Sequence, residues 1–464
     1  MSGRRRSGHA TPARRVAYDV LAAVEGSDAY ANLLLPARLG RAGLTGAEAG
    51  LATELCYGTL RMQGYYDAVL AAAGGRAVDS LDAPVRCVLR LGAHQLLGMR
   101  VAGHAAVNES VSLAKEVGAA KASGLVNAVL RRVAARPAAG WRRSLLALVT
   151  GDERLALEYS HPLWIVHALR EALEADGQAP GALGRLLAAD NTPAEVNLAA
   201  LPGVALPKTL VPDRFSPVGY RLPGGDPAPL LANGEGLLRV QDEGSQLVAL
   251  TMARARPAQP SERWLDLCAG PGGKAALLAA EAAAAGAHLW ANEVVPARRR
   301  LVERALAPWP DTVQVTEGDG RTLGHERPAS FDRVLVDAPC TGLGALRRRP
   351  EARWRKEPSD VARLQALQRE LLASALGCVR PGGIVVYATC SPHVAETRAI
   401  VDAAVGRSGV RLLAAGPILA GLVRAAAPVP ADRTVAQLWP HDHGTDGMFV
   451  AVLTREGDES GAAA

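Results

Sequence analysis

The second half of this 464-residue chain alternates short apolar runs with helical patterns, and few folds accommodate such an alternation. Continuous β-branched runs such as VLVD and GIVVYAT are typical of strands buried on both faces of a sheet. The stretches between them, such as AALLAAEAAAA, have the composition of helices. From Leu238 onward the pattern therefore predicts a doubly wound, mainly parallel α/β sheet of the Rossmann-like type. The run HGTDGMFVAVLT predicts one more strand, placed at the edge of this sheet.

The first part of the chain has a different pattern. From Ala13 to about Ala135, apolar residues recur at three- and four-residue spacing, which predicts an all-α bundle of roughly six helices. A connector and a Pro- and Gly-rich mixed region follow, which we interpret as a small α+β domain. The expected organisation is a disordered tail at 1–12, a helical domain at 13–140, a linker and small α+β domain at 141–236, an α/β domain at 237–454 and a disordered tail at 455–464.

Composition narrows the class of protein without fixing its partner. The net charge of +6 permits a polyanionic partner but does not require one. No run of about 20 uncharged apolar residues is present, so we expect no membrane span, and the basic first residues lack the apolar segment of a secretory signal. Six cysteines in a chain of this length are no disulfide framework, and reduced thiols in a cytoplasmic protein are expected.

A glycine-rich turn follows the first strand of the predicted sheet, in DLCAGPGGKA. Glycines at 270, 272 and 273 allow the backbone to turn sharply and to approach a ligand closely. The turn is not a nucleotide P-loop, because Cys268 and Ala275 stand where that motif needs a glycine and a Ser or Thr.

Three carboxylates follow successive strands. Glu293 lies 20 residues after Gly273, where a carboxylate can bind the hydroxyls of a ribose. Asp319 could accept a hydrogen bond from an adenine amino group, and Asp337 ends the strand VLVD. Because ligands of open α/β sheets bind at the carboxyl ends of the strands, the turn and these carboxylates together predict a nucleoside-like cofactor.

Two cysteines follow strands that should end at the same crevice: Cys340 in DAPC and Cys390 in ATC. A thiolate that adds to C6 of a pyrimidine makes C5 nucleophilic toward an electrophilic methyl group, so paired thiols suit cytosine C5 methylation. Spacing alone does not decide which thiol attacks. The remaining thiols are expected to be packing residues: Cys56, Cys87, Cys268 and Cys378.

Basic residues directly after DAPC are candidates for phosphate contacts. They are Arg347, Arg348, Arg349 and Arg353, with Trp354 as a base-stacking residue or, as we favour, an anchor. On the helical domain Arg14, Arg15, Arg131 and Arg132 are weaker candidates, equally compatible with surface charge. His441 and His443 lack a third ligand nearby, so no metal is expected.

The motifs DLCAGPGGK, ANEVVPARR, DAPCTGLGALRRRPEARW and YATCSPHVAE resemble the RNA cytosine-5 methyltransferases of the NOL/NOP2/Sun type. The N-terminal RRVAYDVL, ELCYGTLR and SGLVNAVLRR resemble the RNA-binding NusB fold, and together the two resemblances cover about 13–454. They imply S-adenosylmethionine as cofactor, held by Cys268, Ala269, Gly270, Pro271, Gly272, Gly273, Lys274, Glu293, Asp319 and Asp337. Gly270, Glu293 and Thr341 depart from the alanine, aspartate and serine that are common in that family.

The resemblance also assigns roles to the reactive residues. Cys390 is implied as the nucleophile, Cys340 as the thiol that helps to release the product, and Asp337 as the base or N3 contact. The implied substrate is one cytosine of 16S rRNA, either in free RNA or within a partial ribosomal particle. The protein itself is expected to be a monomer. Two alternatives stay open: the same chemistry on tRNA, and a non-catalytic RNA-binding factor in ribosome assembly.

Overall fold

The computed structural model describes residues 9–27, 29–406, 409–425 and 429–456. These residues form two compact units, each assembled from separate stretches of chain. The first unit contains the described residues up to His167, then Leu183–Thr192 and Leu346–Arg355. The second contains Ala168–Ala182, Pro193–Ala345 and the described residues from Lys356 onward.

The N-terminal part of the chain is helical, as predicted. Its helices are α1 (Pro12–Gly26), α2 (Ala31–Arg41), α3 (Gly46–Arg61), α4 (Gln63–Gly74), α5 (Ala83–Leu97), α6 (Gly103–Glu116), α7 (Ser123–Ala134), α8 (Ala138–Leu146), α9 (Gly151–Tyr159), α10 (Leu163–Ala175) and α11 (Ala182–Asp190). Apolar stripes bury Leu55, Val69 and Leu89 in one core. Seven α-helices, rather than about six helices, lie among the described residues between 12 and 134. Helix α2 has only a weak apolar pattern, because it contains Pro36 and buries only Ala31 and Leu35.

The apolar spacing of ELCYGTLRMQGYYDAVL predicts one continuous helix, but in the structure this stretch is divided between α3 and α4. Met62 leaves helical geometry, with φ −103° and ψ 16°. The hydroxyl of Ser160, almost a hundred residues away, accepts the Gly64 N–H at 2.9 Å and the Tyr65 N–H at 3.3 Å. A distant serine thus satisfies the free N–H groups at the start of α4, as an N-cap residue would.

A small antiparallel sheet precedes the large one, in keeping with the predicted α+β region. Its strands are β1 (Val196–Ala200), β2 (Val211–Pro212), β3 (Gly219–Leu222) and β4 (Leu238–Val240), in the order β2-β3-β1-β4, with α12 (Ala228–Asn233) before β4.

The large sheet and its helices make up the remainder of the second unit apart from short segments. The strands are β5 (Arg263–Asp266), β6 (His288–Asn292), β7 (Val313–Thr316), β8 (Phe331–Asp337), β9 (Val379–Thr389), β10 (Val410–Leu413), β11 (Val435–Gln437) and β12 (Phe449–Arg455). The helices are α13 (Glu243–Arg254), α14 (Gly273–Ala285), α15 (Pro296–Leu306), α16 (Leu323–Glu326), α18 (Pro358–Cys378), α19 (Arg398–Val405), α20 (Ala415–Ala420) and α21 (Pro440–His443); α17 (Ala352–Arg355) lies in the first unit.

The strand order is β10-β12-β9-β8-β5-β6-β7, with β11 paired to β12. Strands β5 to β9 are mutually parallel, and β10, β11 and β12 run antiparallel to their neighbours, which confirms the predicted mainly parallel sheet. The prediction of β12 at an edge was wrong, because β12 lies between β9 and β10. The short, incompletely buried β10 has too few core positions to give a strand signal in the sequence.

The topology fixes where a ligand can bind. From β5 the chain builds outward through β6 and β7, and then returns to place β8 and β9 on the other side of β5. The switch point therefore lies between β5 and β8, and their carboxyl ends open onto one crevice. Asp266 ends β5 and Asp337 ends β8, so both belong to that crevice.

Candidate active site

The turn after β5 depends on two glycines. Gly272 has φ +108°, and a Cβ at that position would lie 2.6 Å from the Ala305 Cβ. A Cβ at Gly270 would lie 2.1 Å from Glu293 Oε2, and the Gly270–Pro271 peptide bond is cis. Ala269 is buried beneath the turn, whereas Pro271 is exposed at its tip. The turn is therefore packed so tightly against its neighbours that side chains are excluded at both glycines.

Glu293, directly after β6, braces this turn. Its carboxylate is 3% exposed and accepts the Gly270 N–H at 3.0 Å and the Val295 N–H at 2.9 Å. Arg298 lies 3.6 Å from Glu293 Oε2 and donates to the Gly270 carbonyl. Glu293, which is predicted to bind the hydroxyls of a ribose, thus lies beside the glycine turn. It also holds the backbone of that turn in place.

Asp319 follows β7 and is more exposed than Glu293. The Arg321 guanidinium binds its carboxylate at 2.6 Å and 2.9 Å, and Arg321 also reaches Glu370. Hydrogen bonds from the Arg321 side chain and backbone lower the pKa of Asp319. Asp319 therefore remains an anionic acceptor at the β7 end of the sheet.

A lysine and two aspartates meet at the ends of β5 and β8. Lys274, at the start of α14, donates to Asp337 Oδ2 at 2.8 Å. Burial lowers the pKa of Lys274, but the charges of Asp337 and Cys390 and the hydrogen bond to Asp337 outweigh burial and raise it. Lys274 is therefore a fixed cation electrostatically coupled to the Cys390 sulfur, and such a cation favours a thiolate.

Asp266 is a residue that the sequence reasoning did not select. It is 1% exposed, and neither carboxylate oxygen has a well-formed hydrogen bond from the described residues. Burial and then the nearby Asp337 carboxylate raise the pKa of Asp266 to about 7. The available sequence signal was its place at the end of β5, directly before the glycine turn.

The two predicted reactive thiols are neighbours. Cys340 Sγ and Cys390 Sγ are 3.4 Å apart, and both side chains are partly exposed. The Gly344 N–H donates to the Cys390 carbonyl at 2.9 Å, which ties the Cys340 loop to the end of β9. The hydrogen bond between Cys340 and Cys390, followed by burial, raises the pKa of Cys340 well above its ordinary value. Cys340 therefore stays a neutral thiol beside the second sulfur.

The other cysteines lie where packing residues are expected. Cys56, Cys87 and Cys378 are buried in apolar cores, as predicted. Cys268 is partly exposed beside the glycine turn, and burial raises the pKa of its thiol.

A buried carboxylate that the sequence reasoning passed over connects the two thiol loops. Glu396 is fully buried, and its two oxygens accept hydrogen bonds from Thr341, Ser391 and Gln368. It is the final letter of the motif YATCSPHVAE, and the only signal for its importance was membership in that motif.

The arginines after DAPC differ in exposure. Arg349 is exposed, Arg348 is partly exposed, and Arg347 and Arg353 are buried. Arg353 is 0% exposed and donates to the carbonyls of Arg61, Ser160 and Asp190 within the first unit. The Trp354 indole donates to the Leu60 carbonyl at 3.0 Å, which is the anchoring arrangement. Arg348 and Arg349 are therefore the members of this set that keep exposed surface.

Of the weaker candidates, Arg14 is buried and donates to Gln95 at 2.7 Å. Arg15, Arg131 and Arg132 are exposed.

Within the described ranges no group of three or more His, Cys, Asp or Glu could hold a metal, and no helix is long and apolar enough to cross a membrane.

The residues of the crevice suit S-adenosylmethionine. A turn without side chains at 270 and 272 lets a ligand approach the backbone, and the Glu293 and Asp337 carboxylates lie at the strand ends where they could accept hydrogen bonds from the hydroxyl and amino groups of such a cofactor. An eight-stranded, mainly parallel sheet in this order, with a switch-point crevice, a glycine turn and acidic strand ends, defines a class I S-adenosylmethionine-dependent methyltransferase.

Comparison with known proteins makes the assignment more specific. Residues 254–454 match the family described as 16S rRNA methyltransferase RsmB/F, and residues 11–135 match the NusB family. Ribosomal RNA small subunit methyltransferase B of Vibrio cholerae is 30% identical over 88% of this chain and 89% of its own length. The chain belongs to the RsmB/F family, and it is an S-adenosylmethionine-dependent rRNA methyltransferase.

Two further comparisons cover nearly the whole chain. A Mycobacterium tuberculosis protein named as a methyltransferase, Rv1407, is 47% identical over 96% of both chains. The crystal structure of PH0851 superposes with a TM-score of 0.78 at 20% identity, covering 96% of this chain and 99% of the other, and shows the shared fold.

Proposed function

We propose that this protein methylates C5 of one cytosine in 16S rRNA through a covalent adduct between Cys390 and C6 of the base. The observation that supports this most strongly is the pair of sulfur atoms, 3.4 Å apart, at the ends of β8 and β9 beside the Lys274–Asp337 ion pair. A packing role would require only one thiol at this edge, and it would not require a partly buried lysine next to it.

The side chains divide the reaction into an attack and a release. The partly exposed Cys390 thiol gives its proton to solvent, and its sulfur adds to C6, which moves electron density onto C5. The Lys274 ammonium stabilises the attacking thiolate. Asp337, held by Lys274, contacts the N3 edge of the base. Bound S-adenosylmethionine supplies the electrophilic methyl group that C5 attacks.

Release requires transfer of the C5 proton to a base, the second role that the family resemblance implies for Asp337. The electron pair of that C–H bond re-forms the double bond between C5 and C6 as the bond between Cys390 and C6 breaks. Cys340 remains a neutral thiol at 3.4 Å from the departing sulfur, so it can donate a hydrogen bond to that sulfur as it leaves. This arrangement supports the assignment of attack to Cys390 and of product release to Cys340.

The assignment is tested by substituting each cysteine. Cys390→Ser should lower methyl transfer at least about a thousandfold, because an alcohol is a far weaker nucleophile than a thiolate. Cys340→Ala should accumulate a covalent protein–RNA adduct, visible as a slow band on a denaturing gel. Cys378→Ala removes a buried cysteine of the same unit and should keep normal turnover.

If Cys390→Ala accumulates the covalent adduct and Cys340→Ser is inactive, then Cys340 is the nucleophile and Cys390 serves in product release. No adduct with either variant, together with normal turnover by both, would contradict covalent catalysis altogether.

The substrate is proposed from the names of the relatives and is tested in cells. Bisulfite sequencing of total RNA, with and without the gene, should show the loss of one 5-methylcytosine from 16S rRNA. Loss of a tRNA mark instead would keep the chemistry and change the target. No change in any RNA would favour a non-catalytic role in ribosome assembly.

A further inference from the structure

Glu396 lies in the short 3-10 turn Val394–Glu396, which follows β9, and it contacts both loops that carry the thiols. Its Oε1 accepts the Thr341 backbone N–H at 2.8 Å and the Gln368 amide at 3.1 Å. Its Oε2 accepts the hydroxyls of Thr341 and Ser391, the latter at 2.6 Å. Thr341 directly follows Cys340, and Ser391 directly follows Cys390. The Glu396 carboxylate therefore accepts hydrogen bonds from the residue that follows each reactive cysteine.

The donors around Glu396 are all uncharged, and together they use the carboxylate fully. Two donors reach each oxygen, and among side chains only a carboxylate offers so many acceptor positions with no donor of its own. A fully buried carboxylate with neutral donors is costly to desolvate, so it is poorly explained as a device for stability alone. A buried network of this kind instead restricts its members to one arrangement.

A second side chain extends the network. Gln368 on α18 is fully buried, and its amide also donates to the carbonyl of Pro339 at 2.8 Å, one residue before Cys340. The Tyr387 hydroxyl donates to the Glu396 carbonyl at 2.8 Å, which fixes the turn against β9. The residues on both sides of Cys340 are therefore held from the same point as the residue after Cys390.

We propose that Glu396 is a positioning residue for the methyl-transfer reaction: it fixes the Cys340 and Cys390 loops so that the two sulfurs stay within contact of each other. The inference rests on the proposed two-cysteine chemistry. Release of the product needs Cys340 at the sulfur that departs, and a displacement of about 1 Å in such a geometry can cost about a hundredfold in rate.

The separation of the sulfurs can be tested without RNA. Diamide, which is reduced to its hydrazine as two thiols become a disulfide, should link Cys340 to Cys390 in the full-length protein, as followed by mass spectrometry of peptides. Glu396→Ala should slow this reaction at least tenfold. Glu396→Gln should be intermediate, because its carbonyl oxygen still accepts from Thr341 and Gln368 while the hydroxyls rotate to accept from its amide.

A matched control separates positioning from folding. Glu243 is also a buried carboxylate of the second unit and accepts the backbone N–H groups of Phe215 and Ser216. Glu243→Ala should lower the melting temperature as Glu396→Ala does, yet leave disulfide formation and methyl transfer unchanged. All variants are compared at a temperature at which circular dichroism shows each of them folded.

Methyl transfer supplies the second measurement. Glu396→Ala should reduce the single-turnover rate at least tenfold, while the Kd for S-adenosylmethionine stays within twofold, because the network does not include the glycine turn. Equal rates of disulfide formation in folded wild type and Glu396→Ala, including no reaction in either, would overturn the inference. A wild-type protein that forms the disulfide in a Glu396-dependent way but methylates no RNA would contradict the proposed function and leave the positioning role standing.

Discussion

At the scale of single residues, Asp266 shows how burial changes the chemistry of an ordinary carboxyl group. The folded protein keeps a proton on Asp266 up to a pH of about 7, whereas the unfolded chain loses it near 3.8. Between these values the folded state binds more protons than the unfolded state, so this residue makes stability fall as the pH rises. Above about pH 7 the penalty is complete and constant.

Asp266→Asn should therefore alter the pH dependence of stability in one direction. The melting temperature of the variant relative to wild type should rise steadily from pH 4 to about pH 8 and then level off, since an amide does not ionise. Thermal unfolding followed by circular dichroism across this range measures the difference.

Asp360 provides the control, because its environment shifts its pKa the other way. The Glu357 backbone N–H and the Arg363 guanidinium lower the pKa of Asp360, so its stabilising contribution is lost only below pH 4. Asp360→Asn should give a constant offset between pH 5 and 8. A constant offset for Asp266→Asn as well would show that Asp266 is ionised in the folded protein throughout.

Both Asp266 and Glu396 illustrate what the sequence leaves undetermined at this scale. Cys340, Cys390 and Asp337 are predictable because they end or follow strong strand patterns, and their convergence depends only on the direction of parallel strands. The role of Glu396 depends on contacts with Thr341 and Gln368, which are 55 and 28 residues away. No local pattern carries such information.

At the scale of elements, the turn after β5 and the residue after β6 are fitted to each other. In the family that this chain resembles, alanine is common at the position of Gly270 and aspartate at the position of Glu293. This chain therefore has a smaller residue in the turn and a longer carboxylate beside it. A Cβ at Gly270 would lie 2.1 Å from Glu293 Oε2 and 2.8 Å from Arg298 Nε. The two departures are therefore coupled, because the Glu293 carboxylate occupies the space that the methyl group of an alanine at position 270 would need.

This coupling predicts a non-additive pair of substitutions. Gly270→Ala alone should raise the Kd for S-adenosylmethionine about tenfold, because Glu293 must give up its place against the turn, a coupling of about 1 kcal/mol or more. The double variant Gly270→Ala with Glu293→Asp should return to within about threefold of wild type. Isothermal titration calorimetry on all four proteins completes the cycle.

Gly184→Ala on α11, where an added Cβ meets nothing within 4 Å, serves as the control and should leave the Kd unchanged. Additive effects of the two substitutions in the cycle would refute the coupling.

The elements themselves were predictable where burial is continuous and were missed where it is not. Strands β8 and β9 have long apolar runs and were expected, as was the glycine turn. The division of α3 from α4 depends on the hydroxyl of Ser160, and β10 has only four residues with partial burial. Tertiary partners decide such features, and a local pattern does not contain them.

At the scale of the whole molecule, the segment Leu346–Arg355 belongs to the helical unit although its neighbours on both sides belong to the other unit. The sequence favoured RNA contacts for this segment because its arginines follow DAPC. Arg353 instead donates to backbone carbonyls of the helical unit, whereas Trp354 donates to the Leu60 carbonyl of the same unit, in keeping with the favoured role as an anchor. The charge of a residue and its nearness in sequence to a motif do not determine which of the two units its side chain packs in.

Arg353 is therefore expected to matter for stability. Burial lowers the pKa of its guanidinium to about 10, and its removal leaves the buried carbonyls of Arg61, Ser160 and Asp190 without this donor. Arg353→Ala should destabilise the helical unit by about 3 kcal/mol. Native-state hydrogen exchange at the Gly64 and Tyr65 N–H groups, which lie in the first turn of α4, reports this loss locally.

Arg349→Ala, an exposed arginine of the same segment, should change stability by no more than about 0.5 kcal/mol. Equal protection in wild type and Arg353→Ala would mean that the segment is not an integral part of the unit.

The interleaving of the two units also has a consequence for synthesis on the ribosome. The helical unit lacks its last stretch until residues 346–355 are made, more than 150 residues after Thr192. At ordinary elongation rates this delay is roughly 10 to 30 s. During that interval the nascent helices expose the surfaces that later receive Arg353 and Trp354, so chaperone capture, rather than immediate completion, is the expected fate of this part of the growing chain.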